Sequence, residues 1–275
     1  MSCTEKRQER NHGVSAVFIS LIVAALALFY TRTPLCESLD VPNFEQEHSE
    51  WCWAAVSAAV IGLYTDNPPS QCDIAAWVMT AEGRTDDAGE CCDMGDGYFS
   101  DHRCNDPNEL YDSPGSVSDV LTAYDIPHVV LEGPLSFDEI VDAIDDKRPF
   151  VIHWAMTPGL GHFVLGFGYD ETAEERVQFI NPSPDESRRE STYRWMVSGT
   201  NTACVTHYWA HTLLLSESAR AEITEDAGIP PSTDRCDETE LNDVEIGATS
   251  NGRCDIIGVA AHHHSLLRFV RSLVF

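Results

Sequence analysis

The order of helical and extended segments along the chain is the feature that most constrains its fold. Three amphipathic stretches begin at Ser70, Ser116 and Ser136, and each serine has an acidic residue three positions later, as in a capping box. Runs of apolar and β-branched residues follow, at 150–155, 162–169, 176–180, 191–197 and 207–215. Helices followed by strands predict an α+β fold.

A further helix is predicted just after Trp51, Cys52 and Trp53, where an Ala-rich apolar run covers residues 56–64. If Ser49 caps this helix, Cys52 lies in its first turn, where unpaired backbone N–H groups and the helix dipole favour a thiolate. The sequence therefore predicts a reactive cysteine. A buried or disulfide-bonded cysteine is the alternative.

Three separated segments resemble the papain-like cysteine peptidases. Within that family, the resemblance is to the bacterial secreted and effector-type branch. Gln46 precedes the Cys-Trp-Ala-Ala motif of Cys52, His162 follows a glycine at a strand start, and Asn181 precedes Pro182. The resemblance covers roughly residues 41–215, and the order Gln, Cys, His, Asn is more specific than any one motif. It implies a papain-like fold, with a helical half that carries the nucleophile packed against an antiparallel β-sheet half.

The resemblance also implies a role for each of these residues. Cys52 would be the nucleophile, His162 the general base, Asn181 the group that orients the imidazole and Gln46 a donor to the oxyanion. General chemistry agrees, because a thiol with the ordinary pKa of about 8.5 is mostly protonated at neutral pH and an imidazolium beside it lowers that pKa. No cofactor and no metal ion are implied.

Other histidines compete with His162, and Asn181 could simply begin a turn before Pro182. His153 and His211 lie in apolar strand-like runs and are interpreted as satisfied core residues. The remaining candidates are His48, His102, His128 and His207.

Residues 1–35 are interpreted as a signal peptide or signal anchor. Basic residues precede an apolar stretch at 14–30 that could tether the protein to a membrane, and Ala25-Leu26-Ala27 offers a cleavage site. We therefore expect export to the periplasm or cell exterior, with the domain at 36–215 outside the cytoplasm.

Cysteine usage also favours export. Eight cysteines remain besides Cys3 and Cys52, an even set that suggests disulfides, and adjacent Cys91 and Cys92 should take different partners. A zinc site at Cys91, Cys92 and Cys104 is the weaker alternative, because no Cys-x-x-Cys pair occurs.

The C-terminal extension at 216–275 differs in composition from the domain before it. Residues 217–245 are acid-rich, as in a solvated linker, and histidines at 262–264 could bind a metal weakly. The whole chain carries a formal net charge of −28, which argues against nucleic-acid binding because phosphate contacts need Lys and Arg.

The resulting prediction is an exported or membrane-tethered thiol-dependent endopeptidase that acts on polypeptides. One alternative is an acyl transferase or deamidase on the same fold. The other is a catalytically inactive binding domain that retains the motif. The sequence does not indicate an oligomeric state.

Overall fold

A computed structural model describes residues 36–95, 97–157, 159–172, 174–201, 205–216 and 242–243. The predicted leader, with its apolar stretch at 14–30, lies outside these residues, as do nearly all of the acidic extension and the histidines at 262–264. Among the described residues, no helix has both the length and the apolar character needed to cross a membrane.

The helices form where the serine caps predict them. Ser70, Ser116 and Ser136 each accept a hydrogen bond from the backbone N–H three residues later, and Asp73 and Glu139 complete capping boxes at the first and third of these serines. These three helix starts are confirmed. The helices are α1 (Cys52–Gly62), α2 (Gln71–Ala81), α3 (Thr85–Ala88), α4 (Val117–Ala123), α5 (Phe137–Asp145) and α6 (Tyr193–Val197).

The strands are β1 (Cys36–Ser38), β2 (His128–Glu132), β3 (Phe150–Met156), β4 (Leu160–Asp170), β5 (Arg176–Asn181), β6 (Ser187–Thr192), β7 (Ser198–Thr200), β8 (Thr206–Leu215) and β9 (Asn242–Asp243). They form one sheet in the order β2-β8-β3-β4-β5-β6-β9, and β1 pairs with β4 while β7 pairs with β8. Every pairing is antiparallel except that of β6 with β9. Helices α1 and α5 both contact β4, so this strand joins the helices to the sheet.

Two disulfides constrain the segment between α3 and α4: one joins it to α2, and the other closes a loop within it. Cys72 is bonded to Cys92 and Cys91 to Cys104, which confirms that the adjacent cysteines take different partners. Because these sulfurs are joined to each other, they are not the thiolates that a zinc ion would need. The disulfides also indicate an oxidising environment for the folded protein.

The same segment supports the start of α1 through hydrogen bonds to buried tryptophans. Trp51 Nε1 donates to the carbonyl of Cys104 at 2.6 Å, and Trp53 Nε1 donates to the carbonyl of Asp106 at 3.0 Å. Both indoles are almost fully buried, so each donor needs such an acceptor. The backbone on either side of Cys52 is therefore anchored by side chains that point into the core.

Three expectations about local structure were wrong or incomplete. Ser49 does not cap α1: its N-cap is Trp51, which makes no side-chain capping bond. The run 191–197 is not a single strand, because Thr192 ends β6 and its hydroxyl caps the short helix α6 by accepting from Trp195 N–H. Helix α3 and strands β1, β2, β7 and β9 were not predicted, since each is short.

Candidate active site

Cys52 is the first residue of α1, so it lies in the first turn as expected, although Ser49 does not cap the helix. It is the free cysteine among the described residues, and its side chain is 8% exposed. Backbone N–H groups of Phe163, Trp53 and Cys52 itself point toward the sulfur and favour its thiolate form. The thiol thus lies between the first turn of α1 and the backbone of β4.

His162 and Asn181 meet on neighbouring strands. His162 lies near the start of β4 and Asn181 is the last residue of β5, and Nε2 of the imidazole is 2.8 Å from Oδ1 of the amide. The backbone N–H of Ser183 donates to the same oxygen at 3.2 Å. A backbone N–H can only donate, so this bond identifies the amide atom as oxygen and Nε2 of His162 as a donor to it.

Burial outweighs the groups that would favour charge at this site. Desolvation raises the pKa of the Cys52 thiol to about 12 despite the three backbone N–H groups, and nearby Glu50 raises it further. Desolvation also lowers the pKa of His162 to about 4, against the opposing effect of Asn181 and with His153 and His207 adding to the decrease. Burial therefore opposes the thiolate and imidazolium forms that the position at the helix start favours.

A cavity of about 460 Å³ connects Cys52 to His162. Cys52, Tyr98 and His162 all line it, and Glu50 and Glu109 contribute carboxylates. Its remaining wall includes apolar side chains such as Phe163 and Leu160. The cavity therefore leaves open space next to the thiol, in surroundings that include acidic groups.

Gln46 lies beside this cavity but does not line it. Its Nε2 donates to the carbonyls of His48 and Ser49, both at 2.9 Å, and to the hydroxyl of Tyr98 at 3.0 Å. Its Oε1 is buried and has no hydrogen-bond partner among the described residues. In this arrangement the amide protons are directed at protein acceptors.

The competing histidines have other partners. His48 contacts the carbonyl of Gly97 at 3.0 Å, and His207 contacts that of Trp195 at 2.8 Å. His153 and His211 approach each other with their Nδ1 atoms 3.2 Å apart, so each has a partner, but both are only half-buried and their interpretation as core residues was wrong. His153 also lines the cavity, which sequence reasoning did not indicate.

Tyr98 is another cavity residue that sequence reasoning missed. It belongs to the loop enclosed by the Cys91–Cys104 disulfide, and its carbonyl accepts from Ser49 N–H at 2.9 Å. A Gly-rich stretch followed by an aromatic pair, Tyr98-Phe99, was the available signal, and such stretches are common in loops without function.

Comparison with known proteins identifies the family to which the chain belongs. A family model described as the Peptidase_C39-like family matches residues 38–210, which include the whole of the cavity described above. No curated protein matches the chain. The matched region is well over half of the polypeptide, so the chain belongs to the Peptidase_C39-like family, a family of the cysteine-peptidase type.

Proposed function

We propose that the protein is a thiol-dependent endopeptidase that hydrolyses peptide bonds through Cys52, His162 and Asn181, with Gln46 on the oxyanion side of the cleft. The observation that carries the proposal is the joint placement of Cys52 and His162 on one cavity, with His162 held by Asn181 at 2.8 Å. Family membership supports the same chemistry and a polypeptide substrate.

Because burial disfavours charge on both groups, the reaction would begin from the thiol and the neutral imidazole. As the Cys52 sulfur attacks the scissile carbonyl carbon, Nδ1 of His162 takes the thiol proton, because Nε2 already donates to Asn181. The carbonyl π electrons move to oxygen, and the Cys52 backbone N–H stabilises the resulting oxyanion. When the intermediate collapses, the C–N bond breaks and the leaving amine takes the proton from His162.

The second half of the reaction regenerates the thiol. Water attacks the thioester carbon and gives a proton to His162 Nδ1, and collapse of the new intermediate breaks the C–S bond. The sulfur then recovers the proton from His162, and the carboxylic acid product leaves. Asn181 keeps one tautomer of the imidazole through both halves, so the same nitrogen always exchanges the proton.

The proposal extends to location. The Cys72–Cys92 and Cys91–Cys104 disulfides support folding in an oxidising compartment. We propose that the domain works outside the cytoplasm, secreted, periplasmic or tethered through residues 14–30.

Incubation of the purified full-length protein with a peptide library tests the activity. We expect new peptide termini, which an epoxide thiol inhibitor prevents, and no amide cross-links or deamidated glutamine. Cys52→Ala should abolish hydrolysis and His162→Ala should nearly do so, whereas His128→Ala, on β2 and bonded to Ser118, should leave the rate unchanged. Transfer or deamidation products would favour the alternative reaction, and hydrolysis that survives Cys52→Ala would contradict the proposal.

A bifunctional reagent tests the proximity that the mechanism needs. 1,3-Dibromoacetone carries two alkylating carbons separated by one carbonyl carbon, so it bridges a sulfur and a ring nitrogen only when they are close together. We expect peptide mapping to find Cys52 joined to His162. Modification of Cys52 alone, with no bridge at any ratio of reagent to protein, would count against the pair.

A further inference from the structure

Tyr98 lies on the cavity beside the proposed nucleophile and has no role in the hydrolysis steps proposed for Cys52 and His162. It lines the cavity together with Cys52 and His162, and its side chain is half-buried. The hydrogen bond from Ser49 N–H to its carbonyl, at 2.9 Å, ties its backbone to the segment that leads into α1. The phenol is therefore presented to the cavity by a loop anchored close to the nucleophile.

The side-chain amide of Gln46 has one orientation, with Nε2 next to this phenol. The carbonyls of His48 and Ser49 both lie 2.9 Å from Nε2, and carbonyls only accept, so the amide cannot be turned to place Oε1 there. The two protons of Nε2 already serve three acceptors, the third being the Tyr98 hydroxyl at 3.0 Å. Gln46 would have to give up one of these bonds to reach an oxyanion itself.

Tyr98 does not have this difficulty. Its oxygen accepts from Gln46, so its own O–H proton must be donated elsewhere, and no acceptor for that proton is found among the described residues. Burial, with Cys52 and Glu50 nearby, raises the pKa of the phenol, so the hydroxyl keeps its proton at any working pH. The cavity next to Cys52 therefore contains a protonated donor that is held from behind by an amide.

We propose that the Tyr98 hydroxyl, together with the Cys52 backbone N–H, donates to the oxyanion, and that Gln46 is a positioning residue that acts through Tyr98. This inference rests on the proposed hydrolysis. No proton is transferred in this step: as the bond from Cys52 sulfur to carbon forms, the carbonyl π electrons become the oxygen lone pair that accepts from Tyr98. When the C–N or C–S bond breaks, that lone pair re-forms the carbonyl and the hydrogen bond weakens.

Tyr98→Phe tests the role because it removes the hydroxyl and keeps the ring. We expect turnover to fall on the order of a hundredfold with little change in KM, as for loss of one oxyanion donor. Tyr124→Phe is the matched control, since Tyr124 is 43% exposed and does not line the cavity; it should retain wild-type turnover. The melting temperature should be the same in all three proteins.

Two reagents separate oxyanion binding from thiol reactivity. A peptide aldehyde adds the Cys52 sulfur to its carbonyl carbon, so the new oxygen occupies the oxyanion position, whereas iodoacetamide alkylates the sulfur without forming an oxyanion. We expect Tyr98→Phe to weaken binding of the aldehyde by a factor similar to the loss in turnover. The rate of alkylation by iodoacetamide should be unchanged. A structural defect would change both.

The combination with Gln46 tests the positioning role. If Gln46 acts through Tyr98, adding Gln46→Ala to Tyr98→Phe should cause little further loss, while Gln46→Ala alone lowers turnover of the wild-type protein strongly. If the double variant instead loses the product of the two single-variant factors in turnover, Gln46 does not act through Tyr98. Wild-type turnover in Tyr98→Phe would overturn the role of Tyr98 while leaving the hydrolase proposal intact, and a wild-type protein that neither hydrolyses peptides nor binds the aldehyde would overturn both.

Discussion

Asn181 determines which nitrogen of His162 carries the proton. Ser183 N–H and His162 Nε2 both donate to Oδ1, so the neutral imidazole is protonated on Nε2 and has its lone pair on Nδ1. This is the tautomer that a general base needs if Nδ1 is to take the thiol proton. The amide therefore fixes the orientation and the tautomer of the imidazole without adding a charge. Because no carboxylate takes its place, burial keeps the pKa of His162 low.

Asn181→Asp should change the pH dependence more than the geometry. A carboxylate keeps the acceptor and stabilises the imidazolium, so it should raise the pKa of His162 above the present value of about 4. The proposed reaction needs the neutral imidazole, which is lost as pH falls through that pKa. The acid limb of the pH profile, where kcat/KM falls at low pH, should therefore move up by about 1 to 3 pH units. This is the typical effect of an opposite charge within about 4 to 6 Å.

Two further variants complete this measurement. Asn108→Asp, at another position on the cavity, should shift the limb much less, because its charge is not hydrogen-bonded to His162. Asn181→Ala should lower kcat, though less than His162→Ala, since the ring is still held by packing. An acid limb that stays in place in Asn181→Asp would contradict the role of Asn181 beside the base.

At the scale of elements, the sequence predicted what depends on local patterns and missed what depends on distant contacts. The serine caps of α2, α4 and α5 use bonds within four residues, so their sequence signals were sufficient. Thr192 also caps locally, but the aromatic and β-branched residues after it favour strand by propensity, and α6 was missed. The contact of Gln46 with Tyr98 joins residues 52 positions apart across a loop, and no spacing indicates it.

Removal of each disulfide should separate stability from function. Cys72–Cys92 closes a sequence separation of 20 and Cys91–Cys104 one of 13, so chain entropy predicts that either double alanine variant loses about 3 kcal/mol of unfolding free energy. Only the Cys91–Cys104 disulfide encloses Tyr98. It also holds in place the backbone of Cys104, whose carbonyl accepts from Trp51 Nε1. Urea unfolding should show similar losses for the two variants, while turnover should fall mainly in Cys91→Ala/Cys104→Ala. Equal losses of turnover would mean that the loop position does not depend on this bond.

At the scale of the whole molecule, the site depends on segments that are far apart in sequence. Cys52 comes from the start of a helix, Tyr98 from a disulfide-enclosed loop, and His162 and Asn181 from adjacent strands. The order of the motif residues could be read from the sequence, because the resemblance preserves it. The effect of burial on the pKa values of Cys52 and His162 could not be predicted, since it follows from how completely the helix and sheet exclude water around them.

The charge of the whole chain opposes its folding at low ionic strength. The polypeptide has 45 Asp and Glu residues against 17 Lys and Arg residues, so 28 acidic groups remain even if every base is paired. Salt also weakens ion pairs such as those of Arg84 with Asp87 and Asp106, but exposed pairs of this kind contribute only about 0 to 1 kcal/mol each. Repulsion among the excess carboxylates should therefore be the larger of the two effects.

Urea unfolding at pH 7 in increasing sodium chloride measures which effect is larger. The Debye length falls from about 10 Å at 0.1 M to about 3 Å at 1 M, so most of the repulsion should be screened within that range. We expect the urea midpoint to rise steeply at low salt and then to level off. Sucrose, which stabilises by exclusion from the protein surface, should instead raise the midpoint steadily with concentration. A midpoint that is highest in the lowest salt would show that the ion pairs of Arg84 and similar residues outweigh the repulsion.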